Sequence, residues 1–298
     1  MEKSPTVVTC NKNNQGALWA LLASGLFAVV ITMAKIAALE YHVLQILFFR
    51  QLVVFCSCLP TLARSFPANL KTQQPVLHVA RLLGAFTALS FSLWAVTLLP
   101  LTTAVTLGFA QVFFAALLAL IFLQEKVGVH RLGAVTIGFV GVVIVMRPSV
   151  SGLFELSTLV PVIGALGAGV AVISVRKLSQ TESTTTLLVY QAVFIGLLAG
   201  VPLFWLWKTP DIVGLLLLLS MGFIATAAQW IGVKALRLGE ASVIGNFQYT
   251  QLIYAALFGY LLFDEIPDAY TLGGAAVIIC SSLYIVYRES LKAKRTLT

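Results

Sequence analysis

Phe109–Glu125 reads FAQVFFAALLALIFLQE and Tyr249–Glu265 reads YTQLIYAALFGYLLFDE, and the two stretches lie 140 residues apart in register. Ala115-Ala116-Leu117 falls on Ala255-Ala256-Leu257, Gln111 on Gln251 and Glu125 on Glu265. Working outward, the same shift sets Gln51 on Gln191 and Gly133 on Gly273. Hydrophobic composition alone does not generate so many matched polar positions, so the chain contains an internal repeat.

Of the 298 residues, 59% are hydrophobic and 10% charged, with a mean hydropathy of +0.98. Soluble domains carry about 25% charged and about 45–50% apolar residues. Such a chain cannot cover a globule with polar side chains, so its outer surface faces lipid. Apolar runs long enough for a hydrocarbon core of about 30 Å lie near Gly16–Ala38, Val43–Leu59, Val76–Leu98, Thr102–Leu123 and Leu132–Met146. A second five lie near Leu159–Val175, Thr186–Trp207, Val213–Ala235, Ala241–Phe263 and Thr271–Tyr287. The first run is too long for a signal-peptide core and is expected to be a retained helix.

Five helices per repeat is an odd number, so the second repeat must cross the membrane in the opposite sense. The expected fold is an all-α membrane protein of ten transmembrane helices built as two inverted five-helix repeats. A cytoplasmic tail at 1–15 precedes the first repeat at 16–148; the second repeat at 156–288 is followed by a basic cytoplasmic tail at 289–298. With the N-terminus inside, fourteen Lys and Arg fall in cytoplasmic segments and three (Lys35, Arg147, Lys208) at outer ends, while Arg50 and Arg81 lie within spans. That asymmetry puts both termini in the cytoplasm of a multi-pass inner-membrane protein. It also accounts for the +8 net charge without a nucleic-acid partner. An inverted repeat is a transporter signature, with the site near mid-bilayer between the repeats.

Other classes lack their residues. Cys10, Cys56, Cys58 and Cys280 form neither a disulfide framework nor a metal site. His42, His78 and His130, with Asp211, Asp264 and Asp268, fall at helix ends or in loops, so no buried catalytic dyad and no enzyme is expected, and no cofactor is implied. No span holds Asp or Glu near its middle, so a carboxylate proton relay is not expected. A passive channel, or a lipid-binding membrane protein without soluble cargo, is the alternative; rings of like charge that would mark a channel are absent from the sequence.

Several motifs carry a family resemblance. Leu98-Leu99-Pro100-Leu101-Thr102-Thr103-Ala104, Leu123-Gln124-Glu125, the Gly138-Phe139-Val140-Gly141-Val142 run to Arg147-Pro148, and Phe263-Asp264-Glu265-Ile266-Pro267-Asp268 resemble the EamA family of the drug/metabolite transporter superfamily. Gln124 departs from the glycine common in that family. Phe247-Gln248-Tyr249-Thr250-Gln251 and the Tyr284–Glu289 ending are most similar to a subgroup with riboflavin importers and S-adenosylmethionine uptake carriers. The resemblance implies a secondary transporter, monomeric or homodimeric, moving a small organic molecule by alternating access: riboflavin, S-adenosylmethionine, an amino acid or a related metabolite.

Candidate cargo-binding residues follow from burial cost and register. Arg50 lies near the centre of the second span, where a charge costs about 2.5–3.5 kcal/mol; it would attract a carboxylate or phosphate, or else hold carbonyls of a broken helix. Arg81 lies nearer the cytoplasmic interface, where it would bind cargo or snorkel. In the ninth span Asn246, Thr250 and Tyr254 share an arc of about 80°, with Tyr249 about 60° beyond. That face needs partners in protein or cavity, either as a cargo site or as interhelical hydrogen bonds. Gln111 and Gln251 join it through the register, and Phe109 with Tyr249 and Phe114 with Tyr254 are symmetry-related aromatics able to sandwich a flat ring. Glu125 and Glu265 are expected to be structural, as are the small-residue pairs Gly84/Ala88, Ala134/Gly138 and Ala165/Gly169.

Overall fold

A computed structural model describes residues 5–65, 72, 74–122, 129–147, 155–178, 181–182, 184–238 and 245–295. These form α1 (Pro5–Ala37), α2 (Val43–Ser65), α3 (Pro75–Leu98), α4 (Leu101–Gly108), α5 (Gln111–Phe122) and α6 (Val129–Met146). The second half holds α7 (Leu156–Leu178), α8 (Thr184–Gly200), α9 (Leu203–Leu206), α10 (Ile212–Leu238), a 3₁₀ helix (Gly245–Tyr249), α11 (Thr250–Phe263) and α12 (Ala269–Arg295). Seven helical runs among the described residues are long and apolar enough to cross a bilayer, α4 and α5 together forming one. Leu132–Met146 and Thr186–Gly200 are apolar but shorter.

The expected boundaries need local correction. The N-terminal tail is helical from Pro5, and the C-terminal one to Arg295. Pro202 splits the seventh run into α8 and α9, because proline supplies no backbone N–H to continue the ladder. The fourth and ninth runs are not continuous either. Ala110 N–H reaches only to Leu107 C=O (3.1 Å) and Val112 N–H to Phe109 C=O (3.1 Å), a three-residue spacing that breaks the helix between α4 and α5. In the second repeat the 3₁₀ turn ends at Tyr249 and α11 begins at Thr250. Phe109 and Tyr249 coincide in the 140-residue register, so both repeats interrupt this helix at the same place.

The halves interlock with the symmetry the register demands. α3 packs on α7, and its counterpart α10 packs on α1; α2 pairs with its own counterpart α8, and α6 with α12. Phe48 lies beside Gly200 and Gln51 beside Gly196, so α2 and α8 run antiparallel. Counterpart helices that pair antiparallel are related by a two-fold axis perpendicular to them. Glycine lets two of the seams close. A Cβ on Gly84 of α3 would stand 2.8 Å from the carbonyl oxygen of Gly167 on α7, and one on Gly274 of α12 would stand 2.7 Å from that of Gly141 on α6. The expected small-residue positions are thus helix contacts, with Gly138 under the Phe113 ring and Gly169 against Phe114.

Candidate functional site

Between the halves lies a cavity of about 220 Å³, walled by α1, α2, α3 and the broken α4–α5 helix and reaching Gln251 of α11. Its polar lining comprises Arg50, Ser92, Gln111 and Gln251; Phe27 and Phe109 supply aromatic walls. A second cavity of about 250 Å³ continues from it through shared walls at Phe27, Gln111 and Gln251, toward Ser24 and Gln248. The two register-matched glutamines therefore stand at the junction of the two chambers. Each sits just past its helix break, where the change of backbone path turns the side chain inward.

Arg50 has no hydrogen-bond or ion-pair partner among the described residues, although it lines this cavity from α2. Its sequence neighbour Gln51 points away and is 1% exposed, with neither amide atom hydrogen-bonded. The register explains that orphan. Gln191, the counterpart of Gln51, accepts from Arg81 Nη2 at 3.0 Å, and the counterpart of Arg81 is the apolar Met221.

Arg81 does not snorkel. It is 3% exposed, and its Nη1 donates to the Leu187 carbonyl of α8 at 3.0 Å, which ties α3 to α8 outside the cavity. Among the aromatics, Phe109 lines the chamber while Tyr249 packs on Phe109, ring centroids 5.0 Å apart and planes at 48°. Phe114 turns away onto Phe139 of α6 (5.1 Å, 72°), and Tyr254 packs toward Gly25 of α1. Thr250 donates within its own turn to Phe247 C=O at 2.6 Å, and Asn246 Oδ1 is buried without a partner. The ninth-span face thus divides: Gln251 reaches the cavity, and Asn246, Tyr249, Thr250 and Tyr254 do not line it.

A network that register alone did not reveal lies just beyond one end of the chamber wall. Asp264 takes a left-handed conformation (φ 52°), so Glu265 N–H closes on Gly259 C=O at 3.0 Å. The Glu265 carboxylate then pairs with Lys35 of α1 and accepts Leu101 N–H at 2.7 Å, capping the start of α4. Lys35 also donates to the Leu99 carbonyl at 3.0 Å, where Pro100 leaves the chain extended. These residues lie about one turn beyond Ile31, Val96 and Ala104 of the cavity wall. Arg147 and Asp268 pair at the same end. Glu265 is structural, as expected; Glu125, with Gln124 and Lys126, lies outside the described residues.

The expectation of no buried dyad fails at His78. It falls in the first turn of α3, yet it is 2% exposed and pairs with Glu182. Glu182 lies in the α7–α8 connection, so only the fold brings the two together.

The EamA-like transporter family matches residues 14–147 and again 156–287. An S-adenosylmethionine uptake transporter of Rickettsia bellii is 28% identical over 92% of this chain and 94% of its own length. A riboflavin transporter of Vibrio cholerae is 31% identical over 94% of this chain and 96% of its own. A solved crystal structure with 13% identity superposes with a TM-score of 0.60, covering 92% of this chain and 97% of that one, and shares the fold.

Proposed function

Since the chain belongs to the EamA-like transporter family, a family of membrane transporters and not of enzymes, we propose that it is a secondary transporter for a small organic metabolite bearing a carboxylate or phosphate, working by alternating access. The observation that carries this reading is Arg50, a guanidinium in the chamber between the halves with no partner among the described residues. A charge at such depth is stabilised by a counter-charge or by cavity water, and a cargo anion supplies the former. Gln111 and Gln251 offer donors and acceptors on either side, and Phe109 an apolar wall. S-adenosylmethionine, the cargo named for one relative, carries a carboxylate and a flat ring and suits both features.

The ten apolar runs would span the inner membrane with both termini in the cytoplasm, and the chamber would open toward the Gln248 end while the Lys35–Glu265 network closes the other. Counterflow in proteoliposomes tests the reading. Proteoliposomes preloaded with unlabelled S-adenosylmethionine, riboflavin or flavin mononucleotide should accumulate the matching labelled compound transiently, and Arg50→Gln should weaken this for a cargo bearing a carboxylate or phosphate. Linear, non-saturating flux with no trans-stimulation would replace the carrier with a pore.

A further inference from the structure

His78 and Glu182 are 104 residues apart and meet where the start of α3 abuts the α7–α8 connection. Nε2 of His78 lies 2.5 Å from Glu182 Oε2, and the other carboxylate oxygen accepts the Thr72 hydroxyl. Both side chains are nearly inaccessible, at 3% and 2%. The remaining ring nitrogen, Nδ1, is buried with no partner. When Nε2–H donates to the carboxylate, Nδ1 is the basic atom left open.

We propose that His78, held by Glu182, is a proton-binding site of this protein, and that its occupancy sets how firmly the start of α3 is tied to the α7–α8 connection. A proton on Nδ1 yields an imidazolium facing Glu182, so the buried cation is paired. Its loss leaves a neutral ring that still donates through Nε2. The Nε2–H bond is charge-assisted in both states through the Glu182 carboxylate; protonation adds the attraction between imidazolium and carboxylate, which tightens the clamp.

The surrounding groups set the balance. Arg81, one turn along α3, lies within electrostatic reach of Glu182 and opposes an added charge. From α8, the Tyr190 ring packs on the imidazole at 4.7 Å. From α7, Lys177 borders the cleft shared with Leu77 and Ala80, and Arg176 stands beside it in the last turn. Among the charged groups named here, Glu182 is the anion that favours the proton. His78 also shares a helical stripe with Leu89, Ser92 and Val96 of the chamber wall, since their offsets are close to whole numbers of turns. The helix whose start is held by this clamp therefore also walls the cavity, whichever cargo it carries.

Nitrogen-15 spectra of histidine-labelled full-length protein in lipid nanodiscs test the site. The chain has three histidines, and His78→Gln assigns the signal. Spectra recorded from about pH 8 to about pH 5 should show a proton added to Nδ1 of His78. Glu182→Gln should weaken that uptake tenfold or more and leave exposed His42 unchanged. A His78 signal constant across that window, or titrating alike with Gln at 182, overturns the site. For the clamp, Gln74→Cys in a background lacking the native cysteines should react with maleimide more slowly at low pH than an exposed reference, His42→Cys, measured at the same pH, a ratio that cancels the loss of thiolate; with Glu182→Gln added the ratio should not change with pH. A ratio that follows pH equally in both would sink the coupling to α3. If His78→Gln does not accumulate, His42→Gln and His130→Gln assign the spectrum by elimination.

Discussion

The rings of Phe109 and Tyr249 pack with centroids 5.0 Å apart and planes tilted by 48°, and each residue stands at its repeat's helix break. Counterparts in a two-fold repeat can touch each other only near the axis. The contact therefore marks the centre of the molecule, beside the chamber and next to the two glutamines that line it. An offset aromatic pair is worth about 0.5–1.5 kcal/mol beyond its buried area. Phe109→Leu and Tyr249→Leu should each reduce transport at normal membrane abundance, and the double replacement should lose less than the sum of the two. Phe114→Leu, packed on Phe139 instead, should change abundance and leave half-saturation alone; uptake kinetics normalised to protein level separate these outcomes.

Arg50 distinguishes cargo recognition from scaffolding. Hydrogen bonds to a charged group contribute about 1.5–3 kcal/mol, so Arg50→Gln should raise the half-saturation concentration for an anionic cargo by about tenfold to about a hundredfold. Arg50→Lys keeps the charge and loses the planar fork, and should fall between. Unchanged kinetics in both variants at full abundance would remove Arg50 from the site.

The Lys35–Glu265 network should govern access at its end of the chamber. Glu265→Gln removes the counter-charge of a partly buried ammonium and weakens the acceptor for Leu101 N–H. A cysteine at Ser92 in a background without native cysteines should then react several-fold faster with an impermeant maleimide applied from that side. Equal labelling rates with and without Glu265 would place the closure elsewhere.

The glycine seams should be intolerant of a single methyl. Gly84→Ala drives Cβ against the Gly167 carbonyl and Gly274→Ala against that of Gly141, and overpacking of this kind costs about 1–3 kcal/mol. Both should lower the thermal stability of the detergent-solubilised protein. Gly133→Ala, where a Cβ meets nothing within 4 Å, should leave it unchanged.

Sidedness follows from charge. An impermeant maleimide added to intact cells should label a cysteine at Asp268 and spare one at Arg64, because fourteen basic residues fall on the assigned inside and three on the assigned outside. The reverse pattern in a functional protein would invert the topology.

Hydropathy and the 140-residue register determined by themselves that the chain is an all-helical membrane protein, that it has two related halves, and which polar residues correspond. These are properties of local composition and spacing, and no distant contact is needed to read them. The tertiary structure alone decided which of those residues meet the cavity. Helical spacing orders residues around one helix but leaves its rotation against its neighbours open, and in the ninth run a 3₁₀ turn of three residues per turn replaces the assumed 3.6. So Gln251 reaches the chamber, and Asn246 and Tyr254 do not line it. The sequence offers Arg50 and Arg81 alike as candidate cargo-binding charges; Arg50 lines the chamber with no partner among the described residues, while Arg81 is engaged because α3 faces Leu187 and Gln191 on α8. The pairing of His78 with Glu182 bridges 104 residues, a separation across which no periodicity carries information, so only the packing of α3 against the second repeat brings that histidine to its carboxylate.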